Sequence, residues 1–210
     1  MNIPPDRCLV HVVDDDAGLR RSLRFLLQSV GWNVQLHASA EEFLETISEP
    51  TQPCCVLLDI RMPAMSGLEL QQVLRERGIH LPILFMTGHA DVSMAVQAMK
   101  SGAADFIEKP FKDQVVLDAV AAAIRRSNEA LQDAQKRAEA QALLASLSPR
   151  EKDVARLVAL GQPNKLIADA LGISEKTVHI HRKHVMDKAG LSSAAELARL
   201  MLRADPAALD

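Results

Sequence analysis

The chain has 210 residues, of which 48% are hydrophobic, 24% are charged and 3% are aromatic, and its formal net charge is −3 at pH 7. This length exceeds one average domain and suits two small ones. No apolar run approaches the ~20 residues that span a bilayer, and no charged-then-apolar signal segment opens the chain. These features exclude a membrane-spanning protein and predict a cytoplasmic one that has no membrane partner.

Charge is unevenly distributed along the chain. Residues 1–126 carry 12 Lys and Arg against 16 Asp and Glu, whereas residues 148–204 carry 10 against 6. An acidic first part and a basic last part indicate two tasks, of which the second involves a polyanion. The three cysteines, Cys8, Cys54 and Cys55, are too few for a disulfide framework, and we expect them to be buried apolar residues.

Residues 1–126 alternate between strand and helix signals. Short apolar runs suit strands that are buried on both sides, and the stretches between them have helical periodicity. "SAEE" (Ser39–Glu42) has the form of a capping box at the start of a helix. The pattern predicts an α/β fold in which a doubly wound, five-stranded parallel sheet is covered by helices on both faces. The predicted strands are Leu9–Val13, Val34–Leu36, Cys55–Leu58, Ile83–Met86 and Phe106–Ile107.

Chemically active side chains follow the ends of these strands. Asp14 and Asp15 come after the first strand, Asp59 after the third, Thr87 after the fourth and Lys109 after the fifth. Because functional groups gather at the carboxyl ends of parallel strands, we expect these side chains to converge in one crevice. Neighbouring carboxylates repel each other, and Mg²⁺, which prefers oxygen ligands, would offset that repulsion. Asp59, after the third strand, could then be a metal ligand or a nucleophile towards phosphate. Lys109 and Thr87 could bind the phosphoryl oxygens.

A turn-free stretch runs from Lys112 to about Leu147. It contains no Gly or Pro and is rich in strong helix formers. Apolar residues spaced seven apart give a weak heptad pattern, which leaves helix pairing open. We predict a last domain helix that continues into a solvated linker helix.

The final part of the chain is predicted to consist of short helices. Ser148, Pro149 and Glu151 form an N-terminal helix signature. Further on, "PNKLIADALGIS" and "EKTVHIHRKHVMDKAG" are two helical stretches joined by a turn at Gly172. Two helices joined by a short glycine-containing turn have the helix-turn-helix arrangement.

Four motifs in their order and spacing resemble the receiver domain of two-component response regulators: "VVDDD", "LLDIRMPAMSG", "FMTGHAD" and "DFIEKPF". The segment "LSPREKDVARLVALGQPNKLIADALGISEKTVHIHRKHVM" resembles the LuxR-type helix-turn-helix, and the pairing is most similar to the FixJ branch. The resemblance covers about residues 8–205. It implies a flavodoxin-like receiver domain over 1–126, a helical linker over 127–147 and a LuxR-type DNA-binding domain over 148–210.

The resemblance also implies a function. The protein would be a phosphorylation-controlled transcription regulator that takes a phosphoryl group from a sensor histidine kinase onto Asp59. Asp14, Asp15, Asp59 and the backbone carbonyl of Arg61 would hold Mg²⁺, whereas Asp16 would be solvated. The protein would not be an enzyme beyond promoting its own Mg²⁺-dependent phosphoryl transfer and dephosphorylation.

Several further residues acquire roles from the resemblance. Lys109 would clamp the phosphate and would precede a cis peptide bond to Pro110, while Thr87 and Phe106 would form a switch pair. Movement of the pair would alter a face made by a helix from Asp91 to Ser101 and by the fifth strand. On that face the phosphorylated protein would form a homodimer, with the candidate residues Val96, Lys100, Asp105 and Ile107. As alternatives, Val96 or Ile107 would be core residues, and Lys100 and Asp105 would be solvated charges.

The predicted helix from Glu175 to about Ala189 would lie in the major groove of double-stranded DNA. At helical spacing His179, Ile180 and Lys183 share an outward face. Val178, Val185 and Met186 would pack inward. Lys165, Lys176, Thr177 and Arg182 suit phosphate contacts, and Asn164 is a further DNA-binding candidate. A dimer would recognise an inverted repeat at a promoter, with RNA polymerase as a further partner.

Other functions remain as alternatives. A phosphohydrolase with an aspartate nucleophile would want a second Asp two residues after Asp59, where this chain has Arg61. A ligand-gated LuxR-type regulator would need an aromatic-lined pocket, but the chain has one Trp, five Phe and no Tyr. A receiver that has lost phosphorylation and a purely structural C-terminal bundle are the remaining alternatives.

Overall fold

The computed structural model of the protein describes residues 7–88 and 98–209. Five strands form one parallel sheet in the order β2-β1-β3-β4-β5. The strands are β1 (Leu9–Val13), β2 (Asn33–His37), β3 (Cys54–Asp59), β4 (Ile83–Thr87) and β5 (Asp105–Glu108). Val13 lies opposite Leu58 and Asp59 lies opposite Met86, so that β1, β3 and β4 end at the same edge. The predicted doubly wound sheet is confirmed.

Helices cover both faces of this sheet: α1 (Ala17–Ser29), α2 (Ala40–Thr46), α3 (Gly67–Glu76) and α4 (Asp113–Ala145). Every residue of β3 is buried, and its side chains alternate between two cores. Leu57 packs in a core that includes residues of α1 and α4, whereas Leu58 packs in one that includes residues of α2 and α3. Of the helix predicted from Asp91 to Ser101, residues 98–100 are helical and Ser101 lies in a turn, whereas residues 91–97 lie outside the described residues.

The chain divides into two compact units, Met1–Leu131 and Gln132–Asp210. Helix α4 runs unbroken through the stretch for which a helix is predicted. Its Ser127 hydroxyl accepts a hydrogen bond of 3.0 Å from the backbone N–H of Cys54 in the first unit. Further along α4, Ala140 is buried and the Gln141 amide donates to the carbonyl of Ala204 in the second unit. Both ends of the predicted linker are thus packed, and only its middle, residues 133–139, is exposed throughout.

The second unit contains four shorter helices, α5 (Pro149–Ala159), α6 (Asn164–Leu171), α7 (Glu175–Ala189) and α8 (Ala194–Ala204), around one core. The predicted capping box is present at α5, where Glu151 accepts from the N–H of Ser148 at 2.8 Å. A turn joins α6 to α7 and includes Gly172, whose φ of 63° is a left-handed conformation that glycine adopts without strain. The predicted helix-turn-helix is therefore present.

The capping box predicted at Ser39–Glu42 is only half formed. Ser39 accepts from the N–H of Glu42 at 3.2 Å, but the Glu42 carboxylate accepts from Ala38.

The three cysteines are free and buried, as expected. Burial raises the pKa of the Cys54 thiol to about 11, which disfavours the reactive thiolate. Within the described ranges no helix combines the length and the apolar character needed to cross a membrane.

Candidate functional site

An ammonium group joins two carboxylates at the carboxyl edge of the sheet. The Lys109 Nζ lies 2.7 Å from Asp14 Oδ2 and 2.7 Å from Asp59 Oδ1, although these acids are 95 and 50 residues away along the chain. Asp14 is 1% exposed and Asp59 is 6% exposed. Parallel strand order brings the three groups together, because β1, β3 and β5 all end at this edge.

Burial and charge act in opposite directions on these groups. Burial raises the pKa of the Asp59 carboxyl above its usual value, while the hydrogen bond from Lys109 partly offsets that rise. Burial disfavours the charged form of Lys109, but its hydrogen bonds to Asp14 and Asp59 raise the pKa of the amine above its ordinary value. The lysine is therefore held as a cation between the two acids.

Backbone groups fix the orientation of both carboxylates. The N–H of Arg61 donates to Asp59 Oδ2 at 2.9 Å, and the N–H of Asp16 donates to Asp14 Oδ1 at 2.8 Å. The Arg20 guanidinium on α1 donates to the backbone carbonyl oxygen of Asp14. Each acid is thus held by donors on more than one side before any ligand arrives.

Thr87 and Phe106 lie near this crevice in the sheet. Thr87 ends β4 and is 3% exposed, and its carbonyl accepts from the N–H of Lys109 at 2.7 Å. Phe106 in β5 is half-buried and packs against the core that contains residues of α2 and α3. The peptide bond between Lys109 and Pro110 is cis, as the resemblance implies.

The acidic side chains at this edge could supply ligands to a divalent cation. In the described part of the chain, no three His, Cys, Asp or Glu side chains gather into a metal cluster. The structure brings Asp14 and Asp59 together on one lysine, whereas Asp15 is exposed beside them. Because Mg²⁺ commonly takes one or two carboxylates and completes its octahedron with water and phosphate oxygens, this oxygen set fits Mg²⁺.

Two residues near the site have roles that sequence reasoning missed. Asp16 is exposed, as expected, but it also caps α1 by accepting from the N–H groups of Gly18 at 2.6 Å and Leu19 at 3.1 Å. An aspartate just before an apolar-periodic stretch is a helix-start signal that could have shown this. The Arg20 contact with Asp14 had no comparable signal, because it depends on the angle at which α1 leaves β1.

The predicted dimer face is only partly at the surface. Lys100 and Asp105 are exposed. Ile107 is 2% exposed and packs in the core that includes residues of α1 and α4, so its prediction as a face residue is wrong. Side chains two residues apart lie on the same side of a strand, so Ile107 and the exposed Asp105 share a side, and of these two only Ile107 is covered by the core. Val96 lies outside the described residues.

The outward face of α7 is basic and partly apolar. Lys176, His179, Ile180 and Lys183 are all exposed, whereas Val178 and Val185 are buried in the core of the second unit. Met186 is half-buried against the same core, as predicted. The predicted division of this helix into an inward and an outward face is therefore present.

One side-chain contact joins α7 to α6, and a second lies at the start of α7 itself. The Arg182 guanidinium donates to Asn164 Oδ1 at the start of α6 at 3.3 Å, and the hydroxyl of Thr177 lies 2.8 Å from that of Ser174. Two predicted DNA contacts, Asn164 and Arg182, are thus bound to each other. Lys165 is exposed.

Glu151 links α5 to the end of α7. Its carboxylate lies 2.7 and 3.0 Å from the Lys188 Nζ and accepts from Ser148. These hydrogen bonds lower the pKa of Glu151 from 4.5 to about 2, although only 4% of the residue is exposed. The ion pair therefore ties the end of α7 to α5.

Comparison with known proteins identifies both parts of the chain. Residues 10–121 match the model of the response regulator receiver domain, and residues 145–201 match that of bacterial regulatory proteins of the luxR family. The chain belongs to the two-component response regulators of the FixJ type. It is a phosphorylation-dependent transcription regulator of a two-component system. Its receiver domain implies a sensor kinase partner, and its LuxR-type domain implies DNA binding.

The similarity to individual regulators extends over nearly the full chain. The transcriptional regulatory protein FixJ of Azorhizobium caulinodans is 46% identical over 98% of this chain and 97% of its own length. Nodulation protein W of Bradyrhizobium diazoefficiens is 46% identical over 92% of this chain and 85% of its own. The structure of the response regulator StyR aligns with a TM-score of 0.83 at 42% identity, covering 92% of this chain and 98% of StyR. Full-length FixJ from B. japonicum aligns at 0.57 and 42% identity, covering 93% and 96%.

Proposed function

We propose that Asp59 is the phosphoryl acceptor of this response regulator. The observation that carries the proposal is the position of the Lys109 ammonium, 2.7 Å from both Asp14 and Asp59 in a crevice where both acids are buried. A buried acid beside a fixed cation can attack a phosphorus atom while the cation binds the negative oxygens of the transferring group. Each acid also accepts one backbone N–H, Asp59 from Arg61 and Asp14 from Asp16, and Asp59 is the acid that stands at the acceptor position of the receiver motif.

The transfer proposed here is a single displacement at phosphorus. A carboxylate oxygen of Asp59 forms the new P–O bond as the bond to the donor breaks. That broken bond is P–N when the donor is a phosphohistidine of the sensor kinase, and P–O when it is an acyl phosphate. The leaving nitrogen or carboxylate oxygen takes the electron pair. Lys109 binds a phosphoryl oxygen on one side and the Thr87 hydroxyl donates to another.

We assign the Mg²⁺ site of this reaction to Asp14, Asp15, Asp59 and the backbone carbonyl of Arg61. The support is the oxygen donor set, in which two carboxylates are already held close together by one cation. Bound there, the metal ion would supply positive charge that offsets the repulsion between the acids and the phosphate. The protein's own contribution is to hold the acids in position and to keep Lys109 charged.

Phosphorylation adds negative charge and acceptor oxygens beside Thr87. We propose that Thr87 moves towards the phosphate and that Phe106 turns inward into the space that it leaves. A two-fold dimer then forms on the face that includes Lys100 and Asp105, with Val96 as a further candidate. Phosphorylation can shift this equilibrium only by as much as the phosphate favours one form over the other.

The second unit is proposed to carry the DNA contacts of the dimer. Its recognition helix α7 would lie in the major groove of an inverted repeat at a promoter, where RNA polymerase is a further partner. The base-reading candidates are His179, Ile180 and Lys183, and the phosphate contacts are Lys165, Lys176 and Thr177. We assign Arg182 and Asn164 to the same interface, where their mutual hydrogen bond orients both side chains.

We propose domain limits of 1–126 for the receiver, 127–147 for the helical linker and 148–210 for the DNA-binding domain. The support is the packing of Ser127 against Cys54 at one end of the linker and that of Leu147 in the second core at the other.

The proposal is tested by treating the protein with acetyl phosphate and Mg²⁺ and then measuring intact mass and light scattering. We expect one added phosphate and an increase from monomer to dimer mass in the same sample. Asp59→Asn and removal of Mg²⁺ by EDTA should abolish both changes, because they remove the nucleophile and the metal ion.

Asp15→Asn and Asp16→Asn serve as a pair of matched controls for the metal site. The first should weaken the dependence on Mg²⁺, whereas the second, which we place outside the metal site, should leave it unchanged. Equal phosphate incorporation by the Asp59→Asn variant would contradict the assignment of the acceptor.

A further inference from the structure

One apolar side chain lies in the middle of a cationic helix face. Ile180 on α7 is 44% exposed, among residues that are otherwise polar or charged. Its neighbours on the outward face, Lys176, His179 and Lys183, are exposed as well. Contact between water and an apolar side chain of this size is unfavourable. A binding partner that covers Ile180 would therefore gain free energy from its burial.

The surrounding charge indicates what that partner is. Lys176 and Lys183 lie at four residues before and three residues after Ile180, and so flank it on the same helix face. An apolar protein surface would have to desolvate these cations, whereas a polyanion would pair with them. Ile180 is also the sixth residue of α7, within the N-terminal half that approaches base edges in helix-turn-helix proteins.

In the major groove of DNA, the C5-methyl group of thymine is the apolar feature that distinguishes one base from the others. An isoleucine offers neither a donor nor an acceptor, so it cannot read the N7, O6, O4 or amino groups of the bases. We propose that Ile180 contacts the C5-methyl group of one thymine in each half-site and thereby specifies that base. This inference rests on the proposed function of α7 as the recognition helix.

The test replaces each thymine of a bound duplex, in turn, by deoxyuridine, which lacks the C5-methyl group but keeps the same base-pairing groups. The duplex is obtained by selecting genomic fragments with the full-length phosphorylated protein. We expect the protein to bind about fourfold more weakly when one particular thymine of a half-site is replaced, the loss that corresponds to one buried methyl group. Other thymines should tolerate the replacement.

The Ile180→Ala variant completes a double-mutant cycle with the deoxyuridine duplex. It should bind the thymine and deoxyuridine duplexes equally, while Ile180→Val should keep part of the difference. Leu202→Ala is the matched control, because Leu202 on α8 is 45% exposed and lies outside the recognition helix. This variant should keep the full difference in affinity between the thymine and deoxyuridine duplexes. Circular dichroism of each variant checks that the helices are intact.

The outcomes separate this inference from the proposed function. If the unchanged protein binds the duplex but tolerates deoxyuridine at every position, the thymine contact is wrong while the recognition helix stands. An Ile180→Ala variant that keeps full sensitivity would assign the methyl contact to another residue. If the phosphorylated protein binds no duplex at all, both the inference and the proposed DNA contacts fail.

Discussion

At the scale of single residues, the position of Asp59 depends on a residue that has no side chain. An ideal Cβ at Gly67 would lie 2.3 Å from the carbonyl oxygen of Asp59 and 3.1 Å from Leu58 Cγ. Neither neighbour is the flexible end of a long side chain that could move aside. In addition, the N–H of Gly67 donates to the carbonyl of Ile60 at 3.0 Å. Helix α3 therefore begins directly against the backbone of Asp59, the proposed acceptor.

Replacing Gly67 by Ala should displace Asp59 from Lys109. We expect phosphorylation by acetyl phosphate to slow at least tenfold and the free energy of unfolding to fall by about 1–3 kcal/mol, as in other overpacked sites. The rate is measured by intact mass against time, and the stability by urea unfolding.

Gly88→Ala is the matched control for this substitution. Gly88 also follows a strand end near the site, but a Cβ there would meet no atom of the described residues within 4 Å. This variant should keep its stability. If Gly67→Ala is phosphorylated at the unchanged rate, the close approach to the Asp59 carbonyl does not position the acceptor.

At the scale of helices and strands, the ion pair between α5 and α7 predicts acid sensitivity in the second unit. Hydrogen bonds from Lys188 and Ser148 lower the pKa of Glu151 from 4.5 to about 2. The unfolded chain therefore binds the proton more readily than the folded chain does. The stabilisation is fully present above about pH 4.5 and is lost as the pH falls towards 2.

We expect protection of α5 and α7 against hydrogen exchange to decrease over this pH range, after correction for the intrinsic exchange rate. Peptide-level mass spectrometry is the measurement, because it reports the second unit separately from the first. Glu151→Gln should remove much of the pH dependence and should lower protection at pH 7. Asp187→Asn, which changes an exposed carboxylate on α7, is the control and should behave like the unchanged protein.

The recognition helix and the helix before it should make different contributions to DNA affinity. Lys183 lies on the outward face of α7, whereas Lys165 is exposed near the start of α6. Lys183→Ala should cost about 1–3 kcal/mol and relax base preference at one position. Lys165→Ala should weaken binding to all sequences alike. It should also lower, by about one, the slope with which the logarithm of the binding constant falls against the logarithm of the salt concentration. Gel-shift titrations at several salt concentrations measure both, and identical profiles for the two variants would contradict this division.

Sequence periodicity was sufficient to predict most of these elements. The α7 limits, Glu175 and Ala189, coincide with a serine cap before the helix and a glycine after it. Convergence of Asp14, Asp59 and Lys109 was also predictable, because a parallel sheet aligns the ends of its strands. Both signals are local or follow from topology alone.

The remaining features depend on three-dimensional packing. β5 has only two apolar residues, Phe106 and Ile107, and adjacent strand residues face opposite sides of the sheet. Each side of this edge strand also carries an exposed residue, Asp105 or Glu108, so the pattern left open whether Ile107 lies in the core or at the surface. The bond between Arg182 and Asn164 likewise depends on the angle between two helices, which their sequences do not reveal.

At the scale of the whole molecule, the chain contains separate cores and one long helix. The cores of the sheet consist of residues between Cys8 and Ile124, and the third consists of residues from Leu147 onward. Between them, residues 133–139 of α4 are all exposed. A helical stretch without buried side chains is held mainly by its own backbone hydrogen bonds, and these open at low cost.

This exposed stretch contains Lys136 and Arg137, two sites at which trypsin cleaves. We expect limited digestion of the full-length protein to cut there first and to yield two fragments, which end and begin near residue 137. The only nearby ion pair, among the residues described, joins Lys136 to Asp133 at 3.8 Å on the surface and adds little protection. Mass spectrometry of the early digest identifies the cut.

A double variant, Lys136→Gln with Arg137→Gln, should survive the same digestion much longer. A first cut elsewhere, or fragments that are degraded as soon as they form, would show that the stretch is not the weakest part of the chain. Surviving fragments would mean that each half carries the whole free energy of its own folding. In that case, unfolding of one half would leave the other half folded. A destabilising substitution would then lower the free energy of unfolding only of the half that contains it.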